Sequence, residues 1–292
     1  MKFRTTVNNP VGLFKIAQTL EKLGPSCIVS FSMDTVRFIK YREFDGGIQA
    51  WIKVNPPSLF SSYRIESSYN NEINMVIQVD ALLRASKAPQ QATDIRLQLR
   101  RKGNQPILDW QMTSENRAGS TGSMGQEISV KILPPQQMNA IREPTVLATP
   151  HAYILMPSLH ALKPVADRLK SLGKFVTISA NMSGVFKLSM DTDLARCESV
   201  YKQLENPRLE GHESTWEPDR FASVRIATED FVHFLTSYHL EPENVICAIT
   251  DELQVAFYVY VNLDAYQTQD IQIRPIQGAQ TIITYHLPVY YE

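Results

Sequence analysis

Several cations sit at helical spacing. Lys15, Gln18 and Lys22 lie, at about 100° per residue, opposite an apolar stripe of Leu13, Ile16, Ala17, Leu20 and Leu23. Arg84 and Lys87 stand away from Leu82 on a second, shorter helical stretch. Lys163, Lys170 and Lys174 fall on the polar half of a third, beside Asp167. Ammonium and guanidinium groups on a helix face can neutralise phosphates, an attraction that ignores base sequence. They are also what a solvated helix face looks like, and spacing leaves both readings open. A fourth helical stretch, with Glu229, Asp230 and His233, adds no positive charge.

Residues that carry covalent or metal chemistry show no such order. The six histidines have no HExxH or other ligand spacing, and His151 and His160 are separated across a turn. No GxSxG elbow and no catalytic cysteine signature occurs. Asp191 and Asp193 can face one way, as paired acids at strand ends do when solvated. Ala118–Gly125, AGSTGSMG, superficially resembles a phosphate loop but lacks the Gly-Lys-Ser/Thr ending that sets an ammonium on the phosphates. It reads as a flexible loop. The residues point to no catalytic site and no cofactor.

The elements that position the cations occur twice. Ala17, Leu20, Leu23 and Gly24 answer to Ala166, Leu169, Leu172 and Gly173, each 149 positions later. Val29, Met33 and Val36 answer to Ile178, Met182 and Val185, and Met75, Ile77 and Leu82 to Val224, Ile226 and Phe231, in the same register. A series at one offset marks a duplicated unit. In the first copy Lys2–Val7 alternates as a strand. Asn8 or Asn9 caps a helix with Pro10 in its first turn, and Gly24-Pro25 ends it with a left-handed glycine. Two strands follow between Cys27 and Tyr41. Gly46-Gly47 turns into Ile48–Val54, and Asn74–Val79 leads to a helix over Ala81–Ala88 capped by Asp80 and stopped by Pro89. Ile95–Arg101 and Ile107–Thr113 form a hairpin, and Glu127–Leu133 alternates again.

The second copy has a strand within Thr145–Met156 and a helix from Ser158 to about Leu172, with Pro164 predicting a kink or a nearby start. Strands follow at Val176–Ala180, Val185–Asp191, Glu198–Leu204 and Val224–Ala227. A helix near Glu229–Tyr238, a hairpin over Asp251-Glu252 and a last strand from Thr281 complete it. The polar stretch 206–219 reads as a mobile loop. Each half is then many strands with two helices lying on one face of a mostly antiparallel sheet, an α+β fold. The domains are 1–133 and 145–292, joined by a linker over 134–144 with proline at both ends.

Composition agrees with a globular chain of 292 residues, 43% hydrophobic and 20% charged. No apolar run reaches the roughly 18 residues of a membrane span. MKFRTTV has no apolar signal region, so secretion is not expected. Cys27, Cys197 and Cys247 are scattered and odd in number, which fits a reducing compartment. There the glycosylation pattern Asn181-Met182-Ser183 carries no meaning. The net charge of −1 hides an asymmetry: residues 1–143 hold 18 Lys+Arg against 12 Asp+Glu, and residues 144–292 hold 11 against 18. Two domains with different partners, or one basic face of an assembly, would give that pattern.

Met1-Lys2-Phe3-Arg4, Ser179-Ala180-Asn181-Met182-Ser183-Gly184, Leu188-Ser189-Met190-Asp191-Thr192 and Tyr201-Lys202-Gln203-Leu204-Glu205-Asn206-Pro207 carry a family resemblance, and Arg142-Glu143-Pro144 adds to it. In their order and spacing, over nearly the whole chain, these stretches resemble the Hus-one family, a subunit of the heterotrimeric checkpoint clamp within the PCNA-like sliding clamps. The resemblance implies two tandem clamp domains, with antiparallel sheets outside and two helices each on the inner face. It implies a non-catalytic subunit that is also cytoplasmic before assembly and that encircles double-stranded DNA at damage sites in the nucleus. Rad-nine-like and Rad-one-like subunits would complete the ring, a clamp loader would place it, and checkpoint and repair factors would be recruited to it.

In that scheme Lys15, Lys22, Arg84, Lys87, Lys163, Lys170 and Lys174 face DNA. Ile128, Val130 and Ile132 on one edge strand, and Val200, Tyr201 and Leu204 on another, join neighbouring subunits. Partner peptides dock beneath the linker, at Tyr41, Ile141, Tyr285 and Pro288. Two other readings compete. A homotrimeric replication processivity clamp would share the fold but pair with itself, which the acidic second half makes less attractive. An α+β metabolic enzyme with duplicated domains would need a catalytic constellation in a pocket.

Overall fold

A computed structural model describes residues 1–41, 47–87, 94–115, 121–145, 149–193, 196–207, 216–266 and 281–291. Gly46, Ala88-Pro89, residues 118–120 of the glycine-serine stretch, 146–148, 208–215 of the polar loop and 267–280 lie outside them. The chain divides into two compact units. One is built from Met1–Tyr41, Trp51–Arg142 and Asn262–Thr281, the other from Arg42–Ala50, Glu143–Val261 and Ile282–Glu292.

In the first unit β1 (Lys2–Val7) leads into α1 (Pro10–Leu23). Asn9 is the cap. Its Oδ1 accepts from the Gly12 N–H at 2.8 Å, and its Nδ2 donates to the Ser58 and Leu263 carbonyls. The buried amide therefore starts the helix and ties it to two other segments at once. Leu13, Ile16, Ala17 and Leu20 are almost wholly buried, worth about 1.5–3 kcal/mol for each large side chain. Gly24 ends the helix at φ 143°, ψ 179°, outside the left-handed helical well the sequence suggested but in a region that glycine alone occupies freely. A Cβ there would lie 2.6 Å from Lys40 Nζ.

The strands β2 (Ser26–Phe31), β3 (Val36–Lys40), β4 (Gln49–Val54), β5 (Phe60–Glu66) and β6 (Ile73–Gln78) follow, then α2 (Val79–Lys87). Asp80 sits inside the first turn of α2 and does not cap it. The hairpin β7 (Asp94–Lys102) and β8 (Gln105–Glu115) turns at Gly103, and β9 is Thr121–Leu133. The strand order is β4-β3-β2-β6-β9-β8-β7-β1-β5. Residues 121–125 of AGSTGSMG therefore belong to a strand, with Met124 opposite Met112. Pro135–Ala140 forms a short helix, α3, where the sequence suggested an irregular linker. Pro135 suits its first turn, and buried Met138 anchors it on a cluster of Ile28, Ile39, Trp51 and Leu133.

The second unit repeats the plan. β10 (Ala152–Leu155), α4 (Leu159–Leu172), β11 (Phe175–Ala180), β12 (Phe186–Asp191), β13 (Arg196–Tyr201), β14 (Ala222–Ala227) and α5 (Thr228–Leu235) come in order. The hairpin β15 (Asn244–Thr250) and β16 (Gln254–Val261) precedes β17 (Thr281–Leu287). The strands order as β10-β15-β16-β17 and β13-β12-β11-β14. Pro10 and Leu159, Ser26 and Phe175, and Ile73 and Ala222, all first residues of their elements, each lie 149 positions apart. Register recurs too: Ile28 faces Val76 across β2 and β6, and Thr177 faces Arg225 across β11 and β14. α4 runs through Pro164, which removes only the bond that His160 C=O would have received. In each unit the two helices pack side by side. The core of the second is aromatic, with Phe234 stacked on Phe257 at 4.1 Å.

Candidate nucleic-acid interface and strand edges

The helical cations differ in how freely they can act. On α1 the Lys15 ammonium lies over the Tyr266 ring at 3.9 Å, and Lys22 pairs with its neighbour Glu21 at 2.8 Å. On α2 Arg84 pairs with Asp80 one turn back at 3.0 Å, while exposed Lys87 has no ion-pair partner among the described residues. On α4 Lys163 is half-buried and bound by both Asp167 oxygens, at 2.6 and 2.7 Å. Lys170 donates to Glu229 Oε1 at 3.1 Å, and that hydrogen bond, with the ammonium's charge, holds the Glu229 carboxyl below the usual carboxylate range. α4 ends at Leu172, so Lys174 lies not on the helix, as its spacing suggested, but in the turn before β11, exposed and without an ion-pair partner among the described residues. The sequence reading missed Arg168. It is exposed on α4, unpaired among the described residues, and farther round the helix from Leu162, Ala166 and Leu169 than Lys163 is. The 100° spacing alone could have found it.

The two expected edges fare differently. β13 is the terminal strand of its group and pairs only with β12, in the register Lys187 to Val200 and Phe186 to Tyr201. Val200 is 41% exposed, unusual for a valine on a strand. Leu204 is corrected: β13 ends at Tyr201, and Leu204 lies past a turn in which Gln203 has φ 61°. The Leu204 N–H donates to Gly184 C=O at 3.0 Å. β9 is not a terminal strand. β8 covers its residues 121–129 and β6 covers 130–133, so each half has one flank covered. Ile128 and Val130 are buried within the unit, and Ile132 is half-buried. Pro106 has no N–H with which to extend the β8 ladder to Val130. There a groove of about 710 Å³ opens, lined by Arg100, Arg101, Pro106, Val130 and Ile132.

The stretches that carried the family resemblance hold β13 in place. Asn181 is buried, and its Oδ1 accepts from the Ser183 and Val185 N–H groups at 3.2 and 2.9 Å, closing the β11–β12 turn. Asn206 Nδ2 donates to Asn181 C=O at 3.0 Å and to Tyr153 C=O. Gly184, at φ 77°, allows Leu204 to approach: a Cβ there would stand 2.4 Å from the Leu204 carbonyl oxygen.

Of the expected peptide-docking set, Tyr41 and Ile141 pack, half-buried, on the cluster under α3 in the first unit. Tyr285 is corrected. It is fully buried in the core of the second unit, edge-on to Phe234, with its hydroxyl 2.6 Å from Ser237 Oγ. Burial pushes its phenol well above the usual range. Its neighbours on β17, Thr284 and His286, are buried too, so the strand presents neither face there, and Pro288 just beyond it is half-buried.

The enzyme reading gains no support from the remaining candidates. His151 stacks on Trp216 at 4.0 Å while its Nδ1 accepts from the Asp251 N–H, and His160 meets Tyr238 edge-on. Burial pushes the Cys27 thiol up to about 12, and the Cys247 thiol higher still. No group of three potential metal ligands occurs among the described residues. No described helix is long and apolar enough to cross a membrane.

Duplicated antiparallel units, each backed by a pair of helices, define the clamp class. Solved structures of the proliferating cell nuclear antigen share this fold. That from Entamoeba histolytica superposes with a TM-score of 0.69 at 11% identity, covering 99% of both chains. That from Thermococcus kodakaraensis gives 0.68 at 14% identity, covering 99% of this chain and all of the other. The chain belongs to the Hus1-like protein family, whose model matches residues 1–290. It is 28% identical to "Checkpoint protein hus1" of Schizosaccharomyces pombe, over 99% of each chain. It is 27% identical to "Checkpoint protein HUS1" of Homo sapiens, over 88% of this chain and 94% of that one.

Proposed function

We propose that this chain is a non-catalytic subunit of a ring-shaped sliding clamp of the DNA-damage checkpoint. It encircles duplex DNA and recruits checkpoint and repair factors. The observation that carries this reading is the Hus1-like family match over residues 1–290, on a clamp fold whose helices present cations. Its partners are Rad-nine-like and Rad-one-like subunits, a clamp loader and DNA, and its place of work is the nucleus. The exposed edge of β13 and the open flank of β9 beside Pro106 are the surfaces that join subunits, because an unpaired ladder accepts a strand from another chain. Lys87, Arg168 and Lys174, free of carboxylates among the described residues, carry most of the phosphate attraction. Light scattering after co-expression with candidate subunits tests the assembly: the expected mass is one copy of each of three chains. A stable ring of three copies of this chain alone would overturn the reading in favour of a self-pairing clamp.

A further inference from the structure

We propose that the face of the first unit where β1 meets β5 carries an anion site for a phosphorylated segment of a partner protein. Lys2 and Arg4 project to this face, because Phe3 and Thr5 between and beyond them are buried on the other. Arg64 and Glu66 project to it from β5, flanking buried Ile65. The register sets Lys2 opposite Glu66 and Arg4 opposite Arg64. The first pair makes an ion pair at 3.1 Å. The second places two guanidinium groups directly across the ladder, an arrangement that destabilises a sheet unless something else compensates.

Nothing in the described protein does. Arg96 is paired with Asp94 at 2.8 Å and Arg100 with Asp109 at 3.2 Å. Arg4 and Arg64 are exposed and have no carboxylate partner among the described residues. A bulge between Arg4 and Thr6 interrupts the β1–β5 ladder beside the pair, and Ser62 is held at φ 49°, uncommon for a residue with a side chain. Bulges re-aim side chains, and here the next residues on offer, Ser61 and Ser62, bring exposed hydroxyls.

Two arginine forks from adjacent strands suit one phosphate monoester, which presents three acceptor oxygens and close to two negative charges. A nucleic-acid backbone fits less well. Its line of phosphates would leave the arginine pair and, along β5, meet the exposed carboxylate of Glu66, whereas a single dianion avoids it. β5 is also the terminal strand of its unit, so an extended peptide can lie along its edge with a phosphorylated side chain over Arg64. The site is particular to this unit: 149 positions on, Arg4 is answered by Tyr153, which is buried.

The test uses the full chain and two immobilised pools of degenerate peptides that differ only in a central phosphoserine or serine. The wild-type chain is expected to prefer the phosphoserine pool by about tenfold, the scale of hydrogen bonds to charged groups. Arg4→Gln with Arg64→Gln should bring the preference within about twofold, and Arg220→Gln, at an exposed arginine of the second unit, should leave it unchanged. Arg4→Lys with Arg64→Lys keeps the charge and the fold but loses the forks, and should fall between. Equal retention of both pools, or a preference unchanged in the double variants, would overturn the proposal. So would a short DNA duplex whose binding needs both arginines while the phosphoserine pool is not retained.

Discussion

Replacing Gly184 by alanine tests how the second unit presents its edge strand. The backbone at Gly184 has φ 77°, and the added Cβ would lie 2.4 Å from the Leu204 carbonyl oxygen and 3.3 Å from its nitrogen. The conformation alone costs about 1–2 kcal/mol for a residue with a side chain. The contact is with backbone, so relief requires moving the 202–204 turn and breaking the 3.0 Å bond from Leu204 N–H to Gly184 C=O. Overpacking of that kind adds about 1–3 kcal/mol. Gly184→Ala should therefore destabilise the second unit by about 2–5 kcal/mol and raise amide exchange along β13. Two other glycines separate the contributions. Gly103 has φ 60° with nothing within 4 Å of its would-be Cβ, so its alanine variant shows the conformational part only, about 1 kcal/mol. Gly125 is open on both counts, and its variant should stay within about 0.5 kcal/mol. Urea unfolding read by Trp216, the sole tryptophan of the second unit, measures the first case, and Trp110 serves the other two. If Gly184→Ala unfolds like Gly103→Ala, the Leu204 contact is not the constraint described.

Three further outcomes are expected. In the assembled clamp, alanine at Lys87, Arg168 and Lys174 should lower the slope of log affinity against log salt by up to about 0.9 for each phosphate contact removed, equally for unrelated DNA sequences. Alanine at Lys163, already bound by Asp167, should change it little; the reverse ranking, measured by anisotropy at several salt concentrations, would refute the assignment. Val200→Pro should abolish one subunit junction at small cost to the fold, since Val200 is half-exposed on a terminal strand, whereas Val130→Pro should also destabilise the first unit because Val130 is buried in it; gel filtration beside circular dichroism distinguishes them. Burial raises the phenols of Tyr63 and Tyr285, and that of Tyr153 to about 12, so the unfolded chain releases these protons first. The stability they contribute is whole below their ordinary value near 10 and is lost as pH rises from there through the folded values, which alkaline unfolding followed by tyrosinate absorbance should show.

Repetition made most of the fold legible. Ala17, Leu20 and Gly24 recur as Ala166, Leu169 and Gly173 because buried faces and helix ends tolerate few alternatives, and those positions fixed both long helices to the residue. β5 was missed because Ser61, Ser62 and Arg64 break the apolar alternation on a strand with one solvated face. Residues 121–125 read as loop because glycine and serine give no period, although β8 supplies a ladder for them. The site was legible in outline only. A helical wheel shows which cations face outward, but not that Glu229, from another helix, takes Lys170, nor that Tyr266 takes Lys15. Tyr285 failed for a simpler reason: β17 is buried on both faces from Ile283 to Leu287, so no residue of that stretch is offered to a docking peptide.

The duplication also separates what the scaffold fixes from what it leaves free. Leu13, Ala17 and Leu20 are the same residues, equally hidden, as Leu162, Ala166 and Leu169. The charged positions share nothing: Lys15 is answered by Pro164, Lys22 by Ser171, Arg84 by His233 and Lys87 by Thr236. Two descendants of one ancestral module have kept their joinery and rewritten their lettering. Helix surfaces on such a scaffold are interchangeable parts. Grafting the outward residues of α1 onto α4 would retune the charge of one module at small cost to its folding, and a lineage needing a new binding surface could acquire it by the same route.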